Sequence, residues 1–343
     1  MDSLHTTGIR FAEVLQAGPP WLEKFWISVT SLADPKCVFT VCFPLAYFLD
    51  RKVGVSVLWI GLVSEWLNVV LKWFLFGERP FWWVHESGLT RKQLVVLRQF
   101  PVSCETGPGS PSGHCMITGA ALWPLVTALM ALASRHSRSL VVKMSPFGAY
   151  VLLLLAVGLS RIFVLAHFPH QVVGGILTGA VLGWRLQGCT PANRTLGFFV
   201  ATGLALLLSS LISPPTSNSP LSSPRRRSIR LATKWCSNPS WLRLDTRPFA
   251  SISRDTGSAL GLGLAASFSL PRGGHLDPWQ RLASALLALV AIQVLHWFLQ
   301  PTDVTLWYGT NFFKYAIGPW LVTFLLPQLV LSLTPPRRSP HIN

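Results

Sequence analysis

Charge is what this chain has least of. Only 12% of its residues are charged, well below the ~25% of soluble domains. Acidic side chains are the scarcer kind, with 13 Asp and Glu against 29 Lys and Arg. Half the residues are hydrophobic and the mean hydropathy is +0.44, which excludes an ordinary water-soluble core. The first 24 residues lack the uninterrupted apolar run of a cleavable signal peptide, because Asp2, Arg10, Glu13, Glu23 and Lys24 punctuate them. The six cysteines, Cys37, Cys42, Cys104, Cys115, Cys189 and Cys236, show neither CxxC nor zinc-like spacing. No carboxylate cluster suited to a metal ion is found, so no metal and no cofactor are expected. Nucleic-acid motifs are also missing, so the net charge of +16 does not imply a nucleic-acid partner. In a membrane protein such charge orients the loops and serves anionic substrates.

What is present is a series of short, interrupted apolar runs. Nine candidate spans fall at roughly 30–49, 53–75, 115–133, 147–163, 171–186, 196–212, 257–270, 282–299 and 309–332. The expected fold is therefore all-α: a polytopic helical bundle of about nine transmembrane helices, a single membrane domain over 1–343. Glycines inside the runs, among them Gly158, Gly175, Gly179, Gly183, Gly257 and Gly261, let membrane helices pack closely. Tryptophans gather near run ends as interfacial belts do. The first span is the least regular, because Asp34, Pro35 and Lys36 fall inside it.

Loop charge sets the orientation. Arg51 and Lys52, then Arg135, Arg138 and Lys143, and finally Arg337 and Arg338 occupy connections on one side. The positive-inside rule places these in the cytosol and, with nine spans, the N-terminus on the opposite face. Cys104 and Cys236 then share the non-cytosolic side, which allows a disulfide between them. Asn193 opens an Asn-Arg-Thr glycosylation sequon that this topology leaves on the cytosolic face.

Three separated clusters carry the chemistry, each at the end of an apolar run, where a charge is costly unless it has a task. Lys72 and Arg79 lie at the exit of the second span, seven residues apart, and share a face if the helix persists that far. Their alternative reading is a pair of snorkelling interfacial cations. His114 closes Pro-Ser-Gly-His at 111–114, a turn feeding the third span. There Ser112 can cap the helix and Gly113 lets an anion approach backbone N–H groups. Arg161 precedes His167 by six residues across a tight connection, and Gln171 stands four residues beyond, within reach of His167 on a shared helical face. By loop charge, all five charged and imidazole groups fall on the same membrane face. Three cations, a run of N–H groups and two imidazoles fit the binding of a phosphate monoester and transfer of its phosphoryl group.

The order Lys-x6-Arg-Pro, Pro-Ser-Gly-His, Ser-Arg-x5-His resembles the type-2 phosphatidic acid phosphatase superfamily, which shares its site with vanadium haloperoxidases. The likeness is closer still to the glucose-6-phosphatase catalytic subunit family. It is carried by LKWFLFGERPFWWVHES at 71–87, CETGPGSPSGHC from 104, VGLSRIFVLAHFPHQVVGG at 157–175 and DTRPFASISRD at 245–255, and it extends over about residues 9–330.

This resemblance implies His167 as the nucleophile that forms a phosphohistidine and His114 as the proton donor to the departing sugar oxygen. Lys72, Arg79 and Arg161, with Ser112 and Gly113, would hold the phosphate oxygens, and no metal would be needed. It further implies hydrolysis of glucose 6-phosphate, or of related esters such as 1,5-anhydroglucitol 6-phosphate. The expected setting is the endoplasmic-reticulum membrane and its lipids, with N-terminus and active site luminal and the C-terminus cytosolic. A glucose-6-phosphate translocase is the implied functional partner.

Two departures stand out. Where many superfamily members place Asp four residues after the nucleophile, this chain has Gln171, a substitution shared by the glucose-6-phosphatase branch; Asp34 and His170 are further candidates for orienting His167. Residues 213–230, Pro/Ser-rich with an arginine run, replace a largely apolar family stretch and read as a disordered or aberrant luminal segment. Two rivals fit the same inventory: a lipid phosphate phosphatase, and a sugar-phosphate carrier that does not hydrolyse. The first would prefer phosphatidic acid; the second would tolerate loss of His167.

Overall fold

The computed structural model describes residues 1–89, 96–191, 194–211, 224–268, 276–299 and 301–334. Asn193 and residues 212–223 of the Pro/Ser-rich segment lie outside the described residues. Among those described, the chain is helical and contains no strand. The elements are α1 (Asp2–Gln16), α2 (Pro20–Leu32), α3 (Pro35–Leu49), α4 (Arg51–Leu75), α5 (Pro80–Glu86), α6 (Gly113–His136), α7 (Leu140–Phe163), α8 (Pro169–Leu186), α9 (Leu196–Leu211), α10 (Pro224–Trp235), α11 (Pro248–Ser267), α12 (Pro278–Phe298) and α13 (Val304–Leu333).

Local chemistry sets their starts. The Asp50 carboxylate accepts from the N–H groups of Lys52 and Val53 at 2.8 and 3.2 Å, capping α4. Proline at the first position opens α5, α8 and α11, where its missing N–H costs nothing. The irregular first span is two helices, α2 and α3, bent by 52° at the break Ala33–Asp34. Asp34 Oδ1 accepts from Lys36 N at 2.9 Å and restarts the helix.

Every run expected to span holds a helix. Length and composition qualify five stretches to cross a membrane: Arg51–Glu86, Gly113–His136, Leu140–Phe163, Pro278–Phe298 and Val304–Leu333, with the bent α2–α3 pair as a sixth. The count of nine is not reproduced by this criterion, because α9 is only 16 residues long and α8 and α11 carry polar residues. Large apolar side chains remain exposed on the outer faces, including Leu152 and Leu155 of α7, Leu177 and Val181 of α8, and Leu282 and Val290 of α12. Such faces are suited to acyl chains rather than water.

Packing turns on backbone proximity. α6 sits between α4, α7 and α8, while α11 sits between α9, α13 and α4. Gly175, Gly179 and Gly183 recur every four residues on α8, where a Cβ would lie 2.7, 2.4 and 2.8 Å from carbonyl oxygens of α6 or its N-cap. Gly257 and Gly261 of α11 meet α13 the same way, at 2.3 and 2.4 Å from the Phe312 and Ala316 oxygens. These stripes bring helices close enough for dispersion contact where lipid gives no hydrophobic drive. They also fix the N-termini of α6 and α8 against each other, side by side with the ends of α4 and α7.

The segment expected to be disordered is partly ordered. Its residues 224–230 open α10, and Arg227 pairs with Glu78 at 2.5 Å. Lys234 pairs with Glu86 at 2.7 Å, and Trp235 stacks on His85. α10 thus finds carboxylates on the α4–α5 turn, through Arg227, and on α5, through Lys234. Cys104 and Cys236 are disulfide-bonded, with Cα atoms 5.7 Å apart, tying the end of α10 to the loop that precedes α6.

Candidate active site

The last turns of α4 and α7, the start of α6, the break between α2 and α3, the loop 101–108 and residues 243–254 enclose a cavity of about 240 Å³. Its wall includes Lys72, Gly113, His114 and Arg161 from the predicted set. Arg79, Ser112 and His167 are fully buried beside it. All five widely spaced charged and imidazole groups therefore meet at one end of the bundle.

Lys72 and Arg79 do not share a helical face, because α4 ends at Leu75. Phe76 and Gly77 follow with φ of 59° and 69°, and this left-handed pair reverses the chain. At Gly77 a Cβ would also strike the Ser110 backbone nitrogen at 2.6 Å, so glycine is required on both counts. The turn delivers Arg79 to the loop 107–109. Arg79 Nε donates to Gly107 O at 2.7 Å, Nη1 to Ala166 O at 3.0 Å and Nη2 to Pro108 O at 3.0 Å. Lys72 stays on α4, its Nζ 3.7 Å from where a Gly113 Cβ would stand.

Arg161, at the last turn of α7, donates through Nη1 to Thr30 Oγ1 at 2.6 Å. Its carbonyl accepts the His167 N–H at 3.3 Å, so the tight turn between them sets one functional residue against the other. His167 stands before the α8 N-cap and is not on that helix. Its Nδ1 lies 2.7 Å from Gly109 O. A carbonyl only accepts, so Nδ1 carries the proton and Nε2 holds the lone pair. Among the described residues Nε2 is buried without a partner, as is Arg161 Nε. Burial first, then the Arg79 and Arg161 charges, hold the His167 imidazole well below the ordinary histidine range.

The expected contact between Gln171 and His167 is not made. Gln171 Oε1 accepts from Phe168 N at 3.1 Å and Nε2 donates to Glu78 O at 2.7 Å. It staples the start of α8 to the α4–α5 turn, and Gly109 takes the orienting role weighed for Asp34 and His170. Asp34 instead lines the cavity, and His170 stacks with Phe168 and His5.

Several wall residues had no motif to announce them. Glu105 makes an ion pair to Arg79 Nη2 at 2.9 Å and a second to Arg161 Nη2. Burial pushes its carboxyl up, but Arg79 and Arg161 outweigh that and hold it well below the usual carboxylate range. Lys36 reaches Asp245 Oδ2 at 2.5 Å across 209 residues. Glu65 of α4 grips Arg254 of α11 through both carboxylate oxygens, and Asn68 donates to Pro111 O at 3.2 Å. Glu65 and Asn68 were visible as polar residues in an apolar helix, which is a functional signal in membranes. Glu105 and Asp245 lie in polar loops and gave no such signal.

Chemically, the cavity wall offers the Lys72 ammonium, the Arg161 guanidinium and the His114 imidazole, and the His167 imidazole, with an unused lone pair on Nε2, is buried at the same end of the bundle. That is the equipment for holding a phosphoryl group and moving it to nitrogen.

Residues 53–195 match the PAP2 superfamily. Glucose-6-phosphatase 3 of Mus musculus is 50% identical over 99% of this chain and 100% of its own, and that of Homo sapiens is 50% identical over 96% of each. Glucose-6-phosphatase 2 of Homo sapiens is 33% identical over 97% of this chain and 98% of its own. No solved structure matches the chain. With half its residues identical over essentially the full length of such relatives, and with the cavity at the superfamily's motifs, this chain belongs to the glucose-6-phosphatase family.

Proposed function

We propose that the chain hydrolyses glucose 6-phosphate to glucose and inorganic phosphate through a phosphohistidine on His167. The observation that carries this reading is the His167 ring, with Nδ1–H committed to Gly109 O and Nε2 buried and unpartnered next to cationic side chains. The Nε2 lone pair attacks phosphorus as the bond to the sugar oxygen breaks, and His114 gives that oxygen a proton. Water then attacks the phosphohistidine, His114 takes up its proton, and His167 is released with its lone pair restored. Lys72, Arg79 and Arg161 hold the non-bridging oxygens, with the Ser112 hydroxyl and the Gly113 backbone. Splitting the displacement lowers the barrier of one of the slowest uncatalysed reactions known.

The rest of the cavity suits a sugar. Asp34, Lys36, Asn68 and Asp245 line it along with Lys72, Gly113 and Arg161, and such polar side chains match ring hydroxyls. A lipid phosphate would need an apolar wall. The relatives' names point the same way, and the related ester 1,5-anhydroglucitol 6-phosphate is a further substrate to try by the resemblance. The site faces the lumen of the endoplasmic reticulum, with the N-terminus luminal and the C-terminus cytosolic, by the charge of the loops and the resemblance. Substrate then has to cross that membrane first, which couples the enzyme to a glucose-6-phosphate translocase.

The test is an alkaline detergent quench of membranes holding the full-length chain with labelled glucose 6-phosphate, followed by acid and base challenge of the trapped label. An acid-labile, base-stable phosphoamino acid is expected in the wild type, and neither label nor turnover in His167→Ala. Turnover retained by His167→Ala would overturn the reading. Faster hydrolysis of phosphatidic acid would transfer it to a lipid substrate.

A further inference from the structure

The two guanidiniums assigned to phosphate already share an anion. Glu105 Oε2 is 2.9 Å from Arg79 Nη2, and Oε1 pairs with Arg161 Nη2. Of the five N–H groups of Arg79, four are spent on Gly107, Pro108, Ala166 and Glu105. Among the described residues only Thr30 and Glu105 engage Arg161 through its side chain, which leaves three of its N–H groups for a ligand. The carboxylate is also held in place from both sides. Its neighbour Cys104 is disulfide-bonded to Cys236, and Thr106 Oγ1 donates to Thr246 O at 3.2 Å. Glu105 itself lines the cavity, with a side chain only 16% exposed.

A carboxylate pinned this way is a fixed charge of the phosphate cage and not a gate that swings out. It leaves the three cations Lys72, Arg79 and Arg161 with two net positive charges, matching a phosphate monoester dianion. It also orients Arg161 through one Nη while leaving the other N–H groups for the ligand. Three uncompensated cations would hold the product, inorganic phosphate, as tightly as the reacting group, and binding that does not favour the transition state does not raise kcat.

We propose that Glu105 is a positioning and charge-setting residue: it cross-links Arg79 and Arg161 and weakens the cage's hold on inorganic phosphate, so that product leaves. The inference rests on the phosphohistidine reading above, whose separate failure would show as a turnover-competent His167→Ala protein. The experiment compares full-length wild type, Glu105→Gln and Glu105→Asp in membranes, measuring kcat and KM for glucose 6-phosphate and the inhibition constant of inorganic phosphate.

In Glu105→Gln, which keeps the shape and loses the charge, the inhibition constant falls at least about tenfold, the effect of one unit charge a few ångströms away at an effective dielectric near 20. Turnover falls with it, while phosphoenzyme still forms. In Glu105→Asp, which keeps the charge one methylene shorter, kcat drops and phosphate inhibition stays within about threefold of wild type. A folded Glu105→Gln protein with unchanged or weaker phosphate inhibition overturns the proposal. If the glutamine protein does not accumulate, Glu105→Asp decides: tightening of phosphate inhibition by tenfold overturns it, and unchanged inhibition with lowered kcat supports it.

Discussion

At the scale of single residues, the site separates two imidazoles by their surroundings. His167 is fully buried with one nitrogen committed; His114 lies on the cavity wall and is partly exposed. Such a difference suits one ring to attack and the other to exchange protons with ligand and water. Replacing His114 with alanine is expected to slow glucose 6-phosphate turnover by about 10²–10⁴-fold, the usual worth of a general acid. An aryl phosphate, whose leaving group needs no proton, should lose far less; equal losses for both esters would remove His114 from the acid role.

The pH profile follows from His167. Its ring must be neutral to attack, and burial with the two arginines disfavours the imidazolium. The neutral form therefore persists as pH falls through the ordinary histidine value of ~6.5. The acid limb of kcat at saturating substrate is expected below that value, and a limb centred above pH 7 would contradict the buried, arginine-flanked setting.

At the scale of elements, the site depends on how closely helices approach. His167 stands just before the N-cap of α8, and α6 carries His114 in its first turn. Gly179 lies where a Cβ would sit 2.4 Å from the Met116 oxygen, whereas Gly174 on the same helix has nothing within 4 Å. Gly179→Ala is accordingly expected to cost about 1–3 kcal/mol through forced separation. Gly174→Ala should be neutral or stabilising by up to about 1 kcal/mol, since alanine is the better helix former. Thermal midpoints of the detergent-solubilised proteins check this, and equal midpoints would show that the stripe does not set the helix spacing. Gln171 acts at this scale too. It binds the first turn of α8 to Glu78 and so to the turn that delivers Arg79, a structural role in place of the charge relay that an aspartate would supply.

At the scale of the whole molecule, the chain closes its site with parts far apart in sequence. The Cys104–Cys236 bond spans 132 residues, the Lys36–Asp245 pair 209, and α10 fastens to the α4–α5 region through Arg227 and Lys234. A disulfide closing so long a loop contributes roughly 2–5 kcal/mol and persists only in an oxidising compartment. Cys236→Ser should therefore lower the thermal midpoint, and in intact microsomes Cys104 and Cys236 should resist maleimide until reductant is added. Free thiols at both positions in untreated membranes would argue against a luminal site.

Composition and pattern settled the class of this protein before any fold was available: with so few charges it belongs in a bilayer, where only helices and closed barrels satisfy their backbone, and continuous apolar runs in place of short alternating ones select helices. The three motifs, and the helix ends on which they fall, were equally readable, because glycine, proline and a charge at the edge of an apolar run each have a local cause. The shared face for Lys72 and Arg79 was conditional on the helix persisting; Gly77 and Pro80 signal its end nearby, and α4 stops at Leu75 before the turn at Phe76 and Gly77. The contact expected of Gln171 failed because His167 precedes the helix. Asn68 and the Glu65–Arg254 pair could have been suspected from polarity in apolar helices. Glu105, Gly109 and Asp245 could not: a carboxylate or carbonyl in a polar loop is unremarkable until packing brings an arginine or an imidazole against it. Identity and order of the reactive groups are properties of the chain; which partners tune them depends on long-range contacts that helix packing alone creates.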